Sequence, residues 1–199
     1  MLDVVFLIVI LLLLISIAFL LIQNHRQRTL IKSISTLDSV TQLKSSTSVI
    51  EELDIMFQSA KRYHLPLTII MLKLPKLKSP DDEQSLESTN KALQFLANKV
   101  SQLLRTTDIV GRFSYNCFLI GLTHTNTHDA RAVNERLLEQ TNNAKIFDTL
   151  GPSLIGVAHI SSESKSLKHS LKLCVDAIKP FEDSSESHVE YAHEAISKN

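Results

Sequence analysis

The sequence predicts an α/β (α+β) sandwich, in which helices flank a central mixed β-sheet, preceded by one transmembrane helix. Three observations support this fold class. A long apolar run opens the chain, short β-branched runs then alternate with amphipathic segments, and two of these short runs are separated by only three residues. Strands that alternate with helices, with one hairpin among them, indicate a layered domain built around a mixed sheet.

Residues 4–22 form an almost unbroken apolar run, which only Ser16 interrupts. At ~1.5 Å per residue, a helix of this length spans a hydrocarbon core of roughly 30 Å. A cleaved signal peptide is the competing interpretation, but the segment before the run is acidic, at Asp3, and bulky residues end the run. The sequence therefore predicts an uncleaved anchor over residues 1–23, followed by a helical stalk over residues 24–37.

Basic residues flank the predicted anchor on one side. Arg26, Arg28 and Lys32 follow the apolar run, whereas no Lys or Arg precedes it. Because positive charge accumulates on cytoplasmic flanks, the chain is expected to cross the membrane once and to place its C-terminal domain in the cytoplasm. That domain should occupy residues 38–192, with a C-terminal tail over residues 193–199.

The first predicted helix follows a capping-box pattern, in which Ser48 precedes Glu51 by three residues. Apolar residues then recur at helical spacing as far as Ala60. The remaining elements follow from β-branched runs, helical stripes and turn residues: a strand over 66–74, a polar loop over 76–88, a helix over 93–104, hairpin strands over 108–113 and 117–122, a helix over 129–140, a strand over 153–160, a helix over 167–178 and a short edge strand over 188–192.

Composition and cysteine spacing argue against a nucleic-acid interface and against a metal or redox site built from cysteines. The formal net charge is zero, whereas a nucleic-acid binder usually displays a basic patch, so no nucleic-acid partner is expected. The only cysteines, Cys117 and Cys174, have no neighbour at metal-ligand or CxxC spacing, and both are expected to be core residues.

A histidine pair invites a metal interpretation. His124 and His128 lie four residues apart, and Asp129 follows directly. Because this segment falls between a predicted strand and a predicted helix, a solvated loop with Thr127 or Asp129 as the helix N-cap is the expected structure.

Three short motifs carry a resemblance to a known family. Residues 38–43 read DSVTQL, residues 72–78 read LKLPKLK, and residues 105–118 read RTTDIVGRFSYNCF. With the order of elements, they resemble the D-x-L-T-G-L, L-D-I-D-x-F-K and R-x-x-D-x-x-x-R-Y-G-G-D-E-F motifs of the GGDEF (diguanylate cyclase) domain. The resemblance extends over residues 38–192 and implies a GGDEF-like fold in a protein of the bacterial inner (cytoplasmic) membrane.

Departures from the family pattern predict that the domain is not an enzyme. In the family, two carboxylates hold the divalent cations that bind GTP, and Lys73 and Cys117 occupy these positions here. An ammonium group repels Mg²⁺, which requires oxygen ligands. The signature glycines are Ser114 and Tyr115, which lack glycine's freedom at positive φ, and Tyr115 is expected to fill space needed by the nucleotide. Asn90 stands in place of the aspartate that contacts guanine, so no catalytic residue, metal or cofactor is expected.

One family element is retained. The resemblance implies an inhibitory-type site for cyclic di-GMP formed by Arg105 and Asp108, with Arg136 as a further arginine. A guanidinium donates two hydrogen bonds to guanine O6 and N7, and a carboxylate accepts from the guanine N–H edge. Positions i and i+3 at a helix end are expected to project to one side. The alternative is structural: Asp108 ends the helix, and Arg105 is an exposed residue favoured by the helix dipole.

Two functions therefore remain open at the level of the sequence. The first is a membrane-tethered receptor for cyclic di-GMP that regulates a membrane-associated complex. The second is a scaffold that binds no nucleotide and assembles with a protein partner or as a homodimer, which the altered opening turn at Gln42, Ser45 and Ser46 favours. A residual cyclase is disfavoured by Lys73 and Cys117.

Overall fold

A computed structural model describes residues 13–17, 19–20, 35–77 and 83–192. The chain forms two compact units, Met1–Ser35 and Thr36–Asn199. Residues 13–17 and 19–20 of the first unit are helical. Most of the predicted anchor and stalk, and the whole predicted tail, lie outside the described residues. Within the residues that the structure describes, no helix has both the length and the hydropathy that a membrane crossing requires.

The described part of the second unit alternates helices and strands. In chain order these are α1 (Ser46–Tyr63), β1 (Leu67–Lys73), α2 (Glu83–Leu103), β2 (Ile109–Ser114), β3 (Cys117–Thr123), α3 (Thr127–Thr141), α4 (Ala144–Leu150), β4 (Leu154–Ile160), α5 (Leu167–Ile178), a 3₁₀ turn (Lys179–Phe181) and β5 (His188–Tyr191).

The five strands form one mixed sheet in the order β2-β3-β1-β4-β5. The central strand β1 runs antiparallel to both β3 and β4, and β5 runs parallel to β4 at one edge. The hairpin of β2 and β3 forms the other edge. The predicted α+β sandwich with a mixed sheet is therefore confirmed, and so is the edge strand near residue 188.

Helices cover both faces of the sheet, which explains why β1 is apolar at every position except Thr68 and Lys73. Ile70 and Leu72 face a core formed with α2, α3 and α4. Ile69 and Met71 face a second core formed with α1 and α5. Successive side chains of a strand point to opposite faces, so burial on both sides favours a mostly apolar strand without polar alternation.

Two helix starts differ from the prediction. The N-cap of α1 is Ser45, whose hydroxyl accepts a long hydrogen bond of 3.4 Å from the Ser48 backbone N–H, so a cap at Ser48 is wrong. Helix α2 begins at Glu83, ten residues before the predicted start. Its first turns are exposed and carry a Glu87–Lys91 ion pair of 2.7 Å, so their polar sequence reflects a solvent-facing helix and not a loop.

Helix α4 was not predicted at all. It spans Ala144–Leu150, only seven residues, which is too short for a clear helical stripe. Ile146 and Leu150 lie four residues apart and are both fully buried against the α2 side of the sheet. That pair is the only local signal for the helix.

Candidate functional site

A cleft of about 410 Å³ opens between the segment that precedes α1, the first turns of α2 and the β2–β3 hairpin. The sequence analysis singled out several of the residues that line it, including Asn90, Ser114 and Tyr115. The full lining is Asp38, Ser39, Val40, Ser45, Ser46, Leu86, Asn90, Arg112, Phe113, Ser114 and Tyr115. The first and third of the motifs named above thus line the same cleft, whereas no residue of the second motif, 72–78, is part of its lining.

Asp38 organises the opening turn of the domain. Its Oδ1 accepts hydrogen bonds from the Thr41 backbone N–H (2.8 Å) and the Thr41 hydroxyl (2.7 Å), and lies 3.3 Å from Nη1 of Arg112. Burial of the carboxyl acts to raise its pKa. The hydrogen bonds from Thr41 and the positive charge of Arg112 outweigh that effect, so the pKa of Asp38 lies below its usual value.

Arg112 joins the opening turn to the hairpin. Its side chain is only 7% exposed, and Nη2 donates to the Tyr115 carbonyl oxygen at 2.9 Å. The guanidinium also stacks over the Tyr115 ring at 5.5 Å. Its backbone N–H donates to the Lys44 carbonyl at 2.8 Å, which fixes β2 against the entry to α1. Arg112 thereby holds Tyr115 at the cleft.

The hairpin closes without the family's glycines. Tyr115 and Asn116 form the turn, and none of Ser114, Tyr115 and Asn116 has a positive φ. A register shift between Arg112 and Ser114 accommodates the turn. Asn116 also pairs with Leu74, whose N–H donates to the Asn116 carbonyl at 2.8 Å. The turn therefore forms without glycine's conformational freedom at these positions.

Lys73 and Cys117, which the sequence resemblance sets against the family's metal ligands, lie directly opposite each other on β1 and β3. The Lys73 ammonium pairs with the Glu182 carboxylate at 2.5 Å. Burial raises the pKa of the Cys117 thiol to about 12, although the nearby charge of Lys73 acts to lower it. The pair of positions thus presents a cation and a protonated thiol, which do not suit Mg²⁺.

Arg105 and Asp108 lie in a turn between α2 and β2, not at a helix end as expected, because α2 ends at Leu103. The Asp108 backbone N–H donates to the Arg105 carbonyl at 3.0 Å. Asp108 Oδ2 accepts from the Arg105 backbone N–H at 2.9 Å, and Oδ1 accepts from the Thr123 N–H at 3.1 Å. The carboxylate therefore ties the turn to the end of β3.

The side chain of Arg105, in contrast to that of Asp108, makes no polar contact within the described part of the domain. It is exposed, and within residues 35–77 and 83–192 its guanidinium has no hydrogen-bond or ion-pair partner. Arg136 is exposed on α3, which packs against α2. The structure thus places Arg105 and Asp108 on one turn and Arg136 on a helix that contacts the preceding helix.

Replacement of Asp108 by alanine should lower the free energy of unfolding by about 2 kcal/mol, because two backbone N–H groups lose a charged acceptor. Arg105→Ala should change it by less than about 0.5 kcal/mol, since the exposed guanidinium has no partner in the described part of the chain. Urea unfolding followed by circular dichroism measures both values. Equal costs for the two variants would contradict the structural role of Asp108.

The histidine pair forms no metal site in the described residues. His124 lies in the loop after β3 with a positive φ of 50°, while His128 is exposed in the first turn of α3, 3.6 Å from Asp129. No group of three potential ligands occurs within the described ranges. The N-cap of α3 is Asn126, which accepts from the Asp129 N–H, so Thr127 and Asp129 were the wrong choices.

The sequence analysis missed Arg112 and Glu182. Arg112 has a local signal, because its position in the third motif corresponds to an arginine of the family, but its link to Asp38 spans 74 residues. Glu182 has no local signal. It lies 109 residues from Lys73 along the chain, and only the packing of α5 brings the two together.

Comparison with protein families finds that residues 35–179 match the family described as diguanylate cyclase, GGDEF domain. Among curated proteins, the cyclic di-GMP phosphodiesterase NbdA of Pseudomonas aeruginosa is 23% identical over 141 residues. That match covers 71% of this chain but only 18% of NbdA. The chain therefore corresponds to a small part of that relative.

Solved structures share the fold. The GGDEF domain of FimX from Pseudomonas aeruginosa has a TM-score of 0.67 at 18% identity, covering 78% of this chain and 99% of that one. The GGDEF domain of DgcB from Caulobacter crescentus, solved in complex with c-di-GMP, has a TM-score of 0.64 at 12% identity, covering 80% and 97%. At these identities the likeness concerns the fold alone.

Proposed function

Because this chain belongs to the diguanylate cyclase (GGDEF) family, we propose that it is a catalytically inactive member that acts as a receptor for cyclic di-GMP. Arg105, Asp108 and Arg136 form the ligand site in this proposal. The preformed turn at Arg105 and Asp108 is the single observation that carries it.

Loss of catalysis is supported by the side chains of Lys73 on β1 and Cys117 on β3. Phosphoryl transfer depends on metal ions that neutralise the charge of the phosphates. Lys73 places a cation where the family has a carboxylate, and Glu182 already balances that cation. Cys117 remains protonated at neutral pH, because its pKa is about 12. Neither side chain is suited to hold Mg²⁺ against the phosphates of GTP.

Ligand recognition is supported by the different surroundings of the Arg105 and Asp108 side chains. Backbone N–H groups hold the Asp108 carboxylate in place, so little entropy is lost when a guanine edge approaches it. The exposed Arg105 guanidinium keeps its fork of donors for guanine O6 and N7. Arg136, on the helix that packs against α2, adds positive charge for the phosphates of the same ligand.

The site of action is a further part of the proposal. The apolar run at residues 4–22 and the basic residues after it support an anchor in the inner membrane with the domain in the cytoplasm. A domain held there is well placed to report the level of a diffusible nucleotide to a neighbouring membrane complex. No metal or cofactor is part of this function.

A second candidate is a scaffold that binds no nucleotide. It is favoured by one observation, namely that both oxygens of Asp108 already accept hydrogen bonds within the domain. On this view the R-x-x-D sequence is retained because it closes the α2–β2 turn, and the function lies in contacts with other proteins.

Calorimetric titration of cyclic di-GMP into the purified full chain, in mild detergent, separates the two candidates. Micromolar binding is expected, and Arg105→Ala should weaken it by about tenfold or more, because a bidentate arginine–guanine contact contributes about 1–3 kcal/mol. Arg62→Ala is the matched control, since Arg62 is an exposed arginine in the last turn of α1. It should bind as the unaltered chain does.

Two outcomes would exclude the receptor. The first is the absence of both heat and thermal stabilisation at millimolar ligand, which would leave the scaffold as the function. The second is equal binding by Arg105→Ala and the unaltered chain, which would place any nucleotide site elsewhere. Thermal unfolding of both arginine variants checks that the domain is folded.

A further inference from the structure

An apolar groove of about 520 Å³ lies between α1 and α5, on the face of the sheet that these two helices cover. Its floor is formed by Met71 of β1 and Phe113 of β2. The walls are formed by Ile50 of α1 and by Leu167, Leu171 and Val175 of α5. The space between the two helices is therefore lined by aliphatic and aromatic side chains along its length.

Solvent reaches this apolar surface. Val175 is 37% exposed, and Ile50, Phe113 and Leu171 are only partly buried although each packs against the core. A groove with this lining is unfavourable in water, because each Å² of apolar surface that is buried contributes about 25 cal/mol. Concave apolar surface rimmed by polar residues is a feature of sites that bind partners.

The two rims of the groove carry opposite charges. Lys168 and Lys172 lie one turn apart on the α5 rim, and Asp54 lies on the α1 rim. All three side chains are exposed, and none has an ion-pair or hydrogen-bond partner within residues 35–77 and 83–192. The charges are therefore available to a molecule that enters the groove.

We propose that the groove binds an amphipathic helix of a partner protein. The apolar stripe of that helix contacts Phe113, Leu171 and Val175, and carboxylates four residues apart on one flank pair with Lys168 and Lys172. A basic residue on its other flank faces Asp54. Helix-in-groove binding uses apolar anchors at i, i+3, i+4 and i+7, and the gap between two helices suits a third.

Shape and charge together select this occupant. A second copy of the chain would bring one concave surface against another, which leaves the apolar lining of both unfilled. A lipid surface carries one sign of charge and does not match rims of opposite sign. A helix with acidic and basic flanks matches both the shape and the charges.

The groove is separate from the proposed nucleotide site. Helix α3, which carries Arg136, packs on the opposite face of the sheet, against the core formed with α2 and α4. The docking proposal therefore does not depend on cyclic di-GMP binding. An experiment that refutes one of the two proposals leaves the other intact.

Fluorescence anisotropy with a designed peptide tests the proposal on the full chain. The probe is a stapled helix of about five turns, with leucines at i, i+3, i+4 and i+7, glutamates along one flank and lysines along the other. Micromolar binding is expected. Val175→Glu should weaken it by about tenfold or more, because it places a charge on the apolar wall.

Reversal of the lysine charges on the α5 rim tests the predicted ion pairs separately from the apolar contacts. The double variant Lys168→Glu/Lys172→Glu should weaken binding by about tenfold, since each exposed ion pair contributes up to about fivefold. It should regain affinity for a peptide whose flanking charges are exchanged. The matched control is Lys165→Glu/Lys179→Glu, which alters two exposed lysines outside the groove lining and should change binding by less than about twofold.

Three results would overturn the proposal. One is the absence of peptide binding to the unaltered chain. Another is equal binding of both peptides by the unaltered chain and the charge-reversed variant. The third is a dimer in sedimentation equilibrium that Val175→Glu dissociates, because that result would assign the groove to a second copy.

Discussion

Replacement of Arg112 by alanine is expected to lower the free energy of unfolding by about 3 kcal/mol. The guanidinium is almost fully buried and joins the Asp38 carboxylate to the Tyr115 carbonyl. Removal of one partner of a buried ion pair leaves the other charge without compensation, which costs more than the pair contributes when it is intact. Urea unfolding of the full chain, followed by circular dichroism, measures the change.

Arg112→Lys is the matched control for this prediction. A lysine keeps the positive charge near Asp38, but its single ammonium group does not reproduce the guanidinium fork that reaches both Asp38 and Tyr115. An intermediate loss of about 1–2 kcal/mol is expected. A change below about 0.5 kcal/mol for Arg112→Ala would show that Arg112 does not hold the hairpin to the opening turn.

Replacement of Gly156 by alanine should also destabilise the domain by about 3 kcal/mol. Helix α5 packs directly on β4 at this glycine, and a Cβ added there would lie 2.5 Å from the carbonyl oxygen of Cys174 and 3.2 Å from its Cα. These are backbone atoms of a helix, so relief of the clash requires α5 to move away from the sheet. Thermal and urea unfolding both report the loss.

Gly121→Ala provides the comparison for Gly156. A Cβ at Gly121 would meet the side-chain ends of Leu53 and Met56, at 2.8 and 3.0 Å. Flexible side chains shift at lower cost than a helix backbone, so a loss of about 1 kcal/mol is expected. Equal losses at the two glycines would contradict the close approach of α5 to β4.

The strands were predictable because their patterns have a single physical explanation. An apolar run as short as that of β1 is typical of a strand buried on both faces, and it indeed lies at the centre of the sheet. Turn residues at 114–116 likewise located the hairpin. The elements that were missed, α4 and the first turns of α2, are respectively very short and mostly exposed. Neither provides the apolar stripe on which helix prediction depends.

The candidate site was predictable only in part. The resemblance implied that Lys73 and Cys117 belong to one site, and the sheet register, which pairs them directly, agrees with it. The partner of Lys73, Glu182, comes from a segment that the sequence analysis left without structure. Contacts between residues so far apart depend on how α5 packs, which no local pattern encodes. The contact between Asp38 and Arg112 likewise depends on tertiary packing, because 74 residues separate the two along the chain.

The role of Asp108 illustrates a different limit. Spacing identified Arg105 and Asp108 as a pair, but spacing does not distinguish a ligand contact from a turn contact. The structure adds that the carboxylate already accepts hydrogen bonds from Arg105 and Thr123. Arg105 is therefore the residue whose replacement tests ligand binding without loss of the turn.

Incubation of the purified full chain with GTP and Mg²⁺, followed by chromatographic separation of the nucleotides, tests the proposed absence of catalysis most directly. The account predicts that no cyclic di-GMP forms, because the Lys73–Glu182 pair and the protonated Cys117 lie at the positions that the resemblance sets against the family's metal ligands. An active diguanylate cyclase assayed in parallel serves as the positive control. Formation of cyclic di-GMP by this chain, above the level of a control without protein, would contradict the account and show that the domain retains cyclase chemistry.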